Sequence, residues 1–292
     1  MVRSESEIGQ FLKARRSVLT PSRVGLPYGV NRRRVRGLRR EEVAQLAGVS
    51  VDYYTRIEQG RGTGASVDVL EALADALRMS PDERGYLHNL AGHLPRRAAG
   101  TSAALAEDRC SPPEAPRPRV RPELRHLIEA MDRVPALVLG PALDLLAWNG
   151  IAGRLWPALG DLPEAELNLA RMVFLHPEAA DIHLDADTMR REIASKLRAE
   201  SGRNPDEPRL CGLVMRLRRE SATFAELWEA REVLEIPHGT HRLRHPWLGE
   251  LELHFEKMAL PTDSGQTLLS YAAEPGSPSD EALRSLAAAD SA

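Results

Sequence analysis

The first hundred residues place apolar side chains at the spacing of amphipathic helices. Ile8, Phe11 and Leu12 predict a first helix, which ends before Thr20 and Pro21. After a loop rich in glycine, proline and arginine, the same spacing predicts four short helices, at 39–47, 51–59, 66–78 and 81–90. These elements predict an all-α domain over residues 1–97.

A different pattern follows residue 97. Residues 98–120 are rich in Ala, Pro, Ser and charged side chains and lack apolar periodicity, which indicates a linker. From residue 121, apolar runs split by Gly140 and Pro141 predict a pair of strands, and the runs LGELELHFEKMAL and QTLLSYAAE predict two more. Apolar spacing also predicts helices, at 124–131, 164–175, 186–199, 208–219 and 222–233. Mixed helices and strands predict an α+β domain over residues 121–276, followed at 277–292 by a flexible tail that either forms a short fraying helix or remains mobile.

Charge changes sign between the two parts. Residues 1–97 carry 17 Lys and Arg against 11 Asp and Glu, a net charge of +6, whereas the remainder carries 22 against 31, a net charge of −9. The basic part is therefore the one expected to meet phosphate. The sequence has no run of about 18 apolar residues and no secretory leader, so no membrane partner is expected. We expect a cytoplasmic, nucleoid-associated protein. Cys110 and Cys211 lack CxxC spacing and are predicted to be reduced thiols.

Residues 38–61, LRREEVAQLAGVSVDYYTRIEQGR, have the layout of two helices joined by a three-residue turn. Gly48 ends the first helix, where a left-handed backbone costs a residue with a β-carbon about 1 kcal/mol. Ser50 can cap the second helix by accepting a hydrogen bond from a free backbone amide. Apolar spacing turns Tyr54 and Ile57 inward, and it leaves four side chains outward, Val51, Asp52, Tyr53 and Arg56. Outward residues near the start of such a second helix are the ones placed in the major groove of DNA.

This stretch resembles the Xre, or lambda-repressor-like, family of helix-turn-helix domains, over about residues 4–92. The resemblance rests on the turn glycine and the ending RIEQGR, and it implies base reading from the second helix and phosphate contacts from its flanks. Arg56 can fork onto a guanine edge, whereas Asp52 can accept from a cytosine amino group or orient Arg56. The DNA-contact residues predicted in this motif are Arg39, Arg40, Ser50, Val51, Asp52, Tyr53, Arg56 and Arg61.

A basic run precedes this motif. Alone, such a run is most often a solvated loop, but next to a helix-turn-helix we favour contact with the DNA backbone or the minor groove. Its predicted DNA-contact residues are Arg32, Arg33, Arg34 and Arg36.

Four blocks mark the second domain: DLLAWNGIAGRLW, NLARMVFLHPEAA, PHGTHRLRHPWLGELELHF and LLSYAAEPGSPS. In this order they resemble the ligand-binding domain of MmyB-like transcription regulators, a PAS-like α+β module. The resemblance implies a small, mostly apolar, fatty-acid-like effector in a pocket between sheet and helices. It also implies a homodimer on duplex DNA.

An apolar pocket with a few polar groups is the usual form of such a site. The residues predicted to line it are Trp148, Asn149, Trp156, Phe174, Met215, Phe224 and Trp228. For any one aromatic ring, packing in the core is the stronger explanation, so the prediction concerns the set.

A metal site, an enzyme, an interaction adaptor and a sensor that only dimerises are the alternatives to an effector-controlled DNA-binding protein. Histidines cluster at His238, His241, His245 and His254, but without HExxH spacing or a nearby cysteine, structural roles are predicted over a metal site, and no cofactor is expected. No nucleophile elbow, GxGxxG, P-loop or paired-carboxylate pattern occurs, so an enzyme is not expected. An interaction adaptor that keeps the helix-turn-helix fold without reading DNA stays open, as does a sensor whose second domain only dimerises.

Overall fold

The computed structural model describes residues 6–26, 37–61, 65–92, 117–176, 182–205, 207–261 and 265–288. The described residues before 93 form a helical unit, and those after 116 form a mixed unit of helices and strands. Among these residues, none of the helices is long and apolar enough to cross a membrane.

Serine caps start four helices of the helical unit. Ser6, Ser50, Ser66 and Ser80 each accept a hydrogen bond from a backbone amide three residues later, which satisfies a donor that the first turn leaves open. Phe11 and Leu73 lie in the shared core. The helices are α1 (Glu7–Val18), a 3-10 turn (Pro21–Val24), α2 (Arg40–Leu46), α3 (Val51–Glu58), α4 (Val67–Ala76) and α5 (Pro81–Gly92).

The mixed unit opens with a helix and two strands, continues with a run of helices, and closes with three strands and a helix. Its first elements are α6 (Pro122–Glu129), β1 (Ala136–Leu139), β2 (Leu145–Trp148), α7 (Gly150–Leu155) and α8 (Ala158–Asp161). A 3-10 turn (Glu164–Glu166) leads to α9 (Leu169–Leu175), α10 (Ala186–Arg203), α11 (Pro208–Glu220) and α12 (Ala222–Ala230). The last elements are β3 (His238–His245), β4 (Gly249–Ala259), β5 (Thr267–Ala272) and α13 (Pro278–Ala288).

The five strands form one antiparallel sheet in the order β2-β1-β5-β4-β3. Alternation along each strand sends Leu137, Leu253 and Tyr271 to an inner face, where they join the large core beneath the helices. Val138 and Leu268 point to the outer face, into a small second core with α6. The predicted α+β class of this part and the all-α class of the first part are both confirmed.

Three predictions need correction. β3 was not predicted, because its inward positions include His241 and His245, so polar side chains break the apolar alternation. The tail, expected to be flexible or a short fraying helix, forms α13 over Pro278–Ala288, which is not loose but buries Leu283 and Leu286 in the core of the mixed unit. Cys110 lies outside the described residues, whereas Cys211 is disulfide-bonded, so the prediction of a reduced thiol is wrong for Cys211.

The two units lie against each other. Ala199 of α10 and Val233 belong to the same apolar cluster as the core of the helical unit. The backbone amide of Glu235 also donates to Asp82 of α5 over 3.1 Å.

Candidate functional site

The turn between α2 and α3 has the predicted geometry. Gly48 adopts φ +66°, the left-handed conformation that glycine adopts at little cost. The amide of Val49 donates to the carbonyl of Ala44 over 3.0 Å, which closes the end of α2. The Ser50 hydroxyl accepts from the amide of Tyr53 over 3.1 Å and starts α3. The turn and cap together set the angle at which α3 leaves α2.

One face of α3 is exposed and the other is buried. Val51, Asp52 and Arg56 are exposed, as predicted, whereas Tyr54 and Ile57 lie in the core. Tyr53, also expected outward, is half-buried and packs against the core. The outward surface therefore consists of one apolar, one acidic and one basic side chain.

A buried carboxylate anchors the end of α3. Glu58 is buried, and its side chain accepts from Arg16 Nε of α1 over 2.8 Å, from Arg40 Nε, and from the Tyr54 hydroxyl over 3.3 Å. Burial, with the nearby Glu58 charge, raises the pKa of Tyr54 well above its ordinary value, so its hydroxyl stays a donor. Sequence reasoning missed Glu58, because a glutamate on a helix is most often solvent-exposed.

Helix α1 packs closely against the same end of α3. A β-carbon at Gly9 would lie 2.0 Å from the backbone oxygen of Glu58, and one at Gly60 would lie 2.3 Å from the Ser6 hydroxyl. Only glycine fits at these two approaches without a shift of the backbone or the cap. α1 and α3 are thus held as one rigid pair.

The predicted phosphate contacts lie around this pair. Arg39 and Arg61 are exposed, and the Arg39 backbone amide donates to Glu42 over 2.6 Å at the start of α2. Arg40 is also exposed, but its Nε bonds to Glu58, so part of its guanidinium stabilises the fold. The basic run, Arg32, Arg33, Arg34 and Arg36, lies outside the described residues.

A second candidate site lies between the inner face of the sheet and helices α9 and α10. An apolar cavity of about 40 Å³ opens there. Its lining is aliphatic for the most part, with one tryptophan, and His183 and Tyr271 are its polar residues. Those that line it are Leu137, Leu139, Leu145, Trp156, Leu159, Leu169, Met172, Val173, His183, Met189, Leu269 and Tyr271.

A buried polar cluster adjoins the cavity. His241 Nδ1 lies 3.3 Å from the Tyr271 hydroxyl, and its Nε2 lies 3.7 Å from Glu192, which is 3.6 Å from Lys257 Nζ. Burial, and then the neighbouring His241, lower the pKa of His183 to about 4. Burial opposes ionisation of Glu192, but the neighbouring side chains of His241 and Lys257 outweigh it and lower its pKa. At neutral pH the cavity therefore presents an uncharged imidazole and a phenol hydroxyl.

The predicted effector residues are spread over the mixed unit. Of the seven, only Trp156 is among the described residues that line this cavity. Phe174, Phe224 and Trp228 form a row of rings, with centroids 5.0 Å and 5.5 Å apart. Trp148 is half-buried against Gly153, and Met215 is 44% exposed on α11.

Asn149 is tied to the backbone around it. Its Oδ1 accepts from the amides of Ala136 and Ala152, both over 3.1 Å. Its Nδ2 lies 2.8–3.1 Å from the carbonyl oxygens of Ile128, Met131 and Val134. Because an amide group has two donors and one oxygen acceptor, little capacity is left for an effector. Asn149 therefore joins α6, β1 and α7, and these bonds favour a structural role over contact with an effector.

Among the predicted structural histidines, His241, His245 and His254 have protein partners. His245 Nδ1 accepts from the amides of Trp247 and Leu248, each over 3.3 Å, and its Nε2 lies 3.3 Å from the Arg154 carbonyl. His254 Nδ1 lies 3.0 Å from the Thr240 hydroxyl. Within the described residues, no three His, Cys, Asp or Glu side chains are grouped as metal ligands.

The cavity residues that sequence reasoning missed are mostly aliphatic. The alternation of apolar residues on β1 and β5 could have indicated Leu137, Leu139, Leu269 and Tyr271 as one inward row. His183 gave no comparable pattern, because it lies in a connection that runs beside β3.

Comparison with known families gives two matches. Residues 120–286 match the MmyB-like transcription regulator ligand binding domain. Residues 7–87 match a helix-turn-helix domain. No curated protein matches the chain. The two descriptions name regulator domains rather than enzymes, and the first match covers more than half of the chain, including most of α13.

Proposed function

Since the chain belongs to the family of transcription regulators with an MmyB-like ligand-binding domain, we propose that it binds a specific duplex DNA site through α3. An apolar effector in the mixed unit would change that affinity. The observation that carries the proposal is the exposed face of α3, where Val51, Asp52 and Arg56 project from a helix fixed by Glu58. A helix held in this way can enter the major groove with its outward side chains at base edges.

The DNA contacts divide into two kinds. Arg56 and Asp52 are suited to base edges, since a guanidinium forks onto guanine and a carboxylate accepts from cytosine. Arg39, Arg61 and the exposed part of Arg40 are suited to phosphates, which position the protein without reading sequence. We extend the phosphate set to Arg32, Arg33, Arg34 and Arg36, and we propose a homodimer on a symmetric operator, with half-sites about 34 Å apart.

Arg56→Ala will weaken binding to the selected operator about 5- to 100-fold, because it removes a bidentate base contact. Genomic fragments selected with the full-length protein supply the operator, and fluorescence anisotropy at several salt concentrations measures the affinity. The affinity of the wild type will fall linearly with salt on a double logarithmic scale.

Arg125→Ala is the matched control, since it removes an exposed arginine from α6 of the mixed unit. It will leave the affinity within about twofold of wild type, as expected of a surface change away from the interface. An interaction adaptor predicts instead that no variant shows salt-dependent DNA binding, so a flat salt response of the wild type would contradict the proposal.

The effector site we propose is the apolar cavity between the sheet and α10. A sheet with helices over its inner face supports a PAS-like description of the unit. The wall residues suit an alkyl chain, and the Tyr271 hydroxyl and His183 suit a single hydrogen-bonding head group. Binding to chromosomal DNA would put this activity in the bacterial cytoplasm.

Saturated fatty acids of suitable length will raise the Tm of the full chain by about 5–10 °C at a hundred times their Kd. Differential scanning fluorimetry across chain lengths measures this shift. Tyr271→Phe will weaken the binding of the preferred acid by about 2- to 12-fold through the lost hydrogen bond, and Tyr53→Phe on α3 is the control. A Tm that no acid shifts would contradict the fatty-acid-like effector.

A further inference from the structure

A buried arginine joins the helical unit to the mixed unit. Arg198 of α10 is 1% exposed, and its Nη1 donates to Glu7 Oε1 at the start of α1 over 2.6 Å. The same oxygen accepts from Arg231 Nη1 over 2.7 Å and from the Tyr86 hydroxyl over 3.1 Å. The guanidinium carbon of Arg198 lies 3.9 Å from the centre of the Trp228 ring. We call these five side chains the clasp.

The clasp favours one arrangement of the two units. A buried guanidinium is costly unless charges and hydrogen-bond acceptors surround it. Arg198 has Glu7, the Trp228 carbonyl and the Trp228 ring around it, and the negative charge among these groups, Glu7, comes from the helical unit. Separation of the units would therefore leave Arg198 without its counter-charge until water reaches it.

Close packing lies beside the clasp. A β-carbon at Gly202 of α10 would lie 2.3 Å from the ring of Tyr86 on α5. Tyr86 in turn packs edge-on against Phe11 of α1, with ring centres 4.9 Å apart. The interface is thus both ionic and tightly packed. A small displacement of α10 therefore requires α1 and α5 to move as well.

Helix α10 has two different faces. Met189 lines the apolar cavity, and Glu192 and Ile193 line a neighbouring space between α10 and the sheet. Arg198 and Gly202 lie on the opposite side, because 3.6 residues make one turn. The same helix therefore forms the cavity wall and carries the clasp.

A row of rings makes a second connection. Val173 of α9 lines the cavity, and the next residue, Phe174, packs edge-on against Phe224. Phe224 stacks on Trp228, which lies under Arg198. A movement of α9 therefore also shifts the side chains of the clasp, because this row of rings connects the two by direct contact.

The cavity must enlarge to accept an effector. Its volume is about 40 Å³, whereas an engineered cavity that binds benzene measures about 150 Å³. One wall is a five-stranded sheet held by backbone hydrogen bonds, and the other is made by helices that are held against it by side chains, among them the ion pair between Glu192 of α10 and Lys257 of β4. Helices slide more readily than strands in a sheet separate, so the helical wall is the part that moves.

We propose that an occupant of this cavity displaces α10, opens the clasp and releases the helical unit from the mixed unit. This inference rests on the proposed function, since it concerns regulation through the same cavity. Release changes the position in which α3 is held for DNA. Glu7 of the clasp lies at the start of α1, and α1 packs against the end of α3 at Gly9, so the clasp and α3 are connected through α1.

The clasp is tested first, in the full chain without a ligand. Hydrogen exchange measured by mass spectrometry will be about tenfold or more faster in Glu7→Gln and Gly202→Ala than in wild type, in peptides covering 81–92 and 195–203. Peptides covering 51–58 will exchange at the wild-type rate. Gly212→Ala on α11 is the control, since a β-carbon there meets open space. Wild-type exchange in both clasp variants would overturn the proposal.

The coupling is tested by filling the cavity. Val173→Phe and Leu159→Phe place a ring inside it from two different elements, and each folded variant will show the same faster exchange at the interface. Val173→Leu, which adds one carbon, will not. Two variants are used because one of them can fail to fold. A folded variant with a filled cavity and wild-type exchange at the interface overturns the coupling.

Decanoate is then added to the wild type. If it raises the Tm and also speeds exchange at the interface, the release is supported. If it raises the Tm and leaves the interface protected, the release is overturned while the effector proposal stands. If it leaves the Tm unchanged, decanoate is not the effector, and the filled-cavity variants decide the release.

Discussion

Asn149→Ala will lower the free energy of unfolding by about 3–5 kcal/mol, because this one side chain satisfies several buried backbone groups at once. The amide group of Asn149 joins the ends of α6, β1 and α7, and it is 2% exposed. Its removal leaves buried backbone amides and carbonyls without a partner, and each such group costs about 1–3 kcal/mol. Urea denaturation followed by circular dichroism measures the change.

Two further variants separate this role from a simple change of size. Asn149→Asp keeps the shape but places a carboxylate against three carbonyl oxygens, so it will destabilise the fold at least as much as alanine. Asn204→Ala, at an exposed asparagine, will stay within about 0.5 kcal/mol of wild type. A loss below 1 kcal/mol for Asn149→Ala would mean that water replaces the side chain.

Gly9→Ala will lower the free energy of unfolding by about 3 kcal/mol, because the added methyl group meets the backbone of another helix. A β-carbon at Gly9 lies 2.0 Å from the carbonyl oxygen of Glu58, so α1 must move away from α3. A backbone atom within a helix cannot turn aside as the end of a long side chain can. Thermal and urea melts of the full chain measure the change.

Gly85→Ala is the matched control with the opposite sign. Gly85 also lies within a helix, but a β-carbon there has nothing within 4 Å. Alanine reduces the freedom of the unfolded chain, so this variant will be about 0.5–1 kcal/mol more stable than wild type. Equal effects of the two substitutions would show that helix propensity, and not the close approach of α1 to α3, decides the outcome at Gly9.

Local patterns predicted the helical unit well. Each of its features is encoded within a few residues: apolar spacing for the helices, Gly48 for the turn and Ser50 for the cap. The exposed face of α3 follows from the same spacing, since Tyr54 and Ile57 fix which side is buried. Short-range chemistry was sufficient there.

Long-range partners could not be read in this way. Arg198 looks like an ordinary exposed arginine in the sequence, and its partner Glu7 lies 191 positions away. β3 was missed because His241 and His245 occupy its inward positions. Only the packed structure shows that these polar residues have buried partners.

The cavity proposed as the effector site was only partly predictable. Large aromatic residues were chosen because rings dominate pockets and cores alike, but several of them form the row between Phe174 and Trp228 instead. The cavity itself is lined mostly by leucine, methionine and valine. These residue types fill every core, so their identity alone does not distinguish a cavity from close packing.

The residues that hold α3 in place are separate from those on its outward face. Tyr54, Ile57 and Glu58 are buried, whereas Val51, Asp52 and Arg56 are exposed. Under the proposed function, the outward residues can therefore be exchanged, by gene duplication or by design, and the operator preference altered, while the buried residues keep the helix stable.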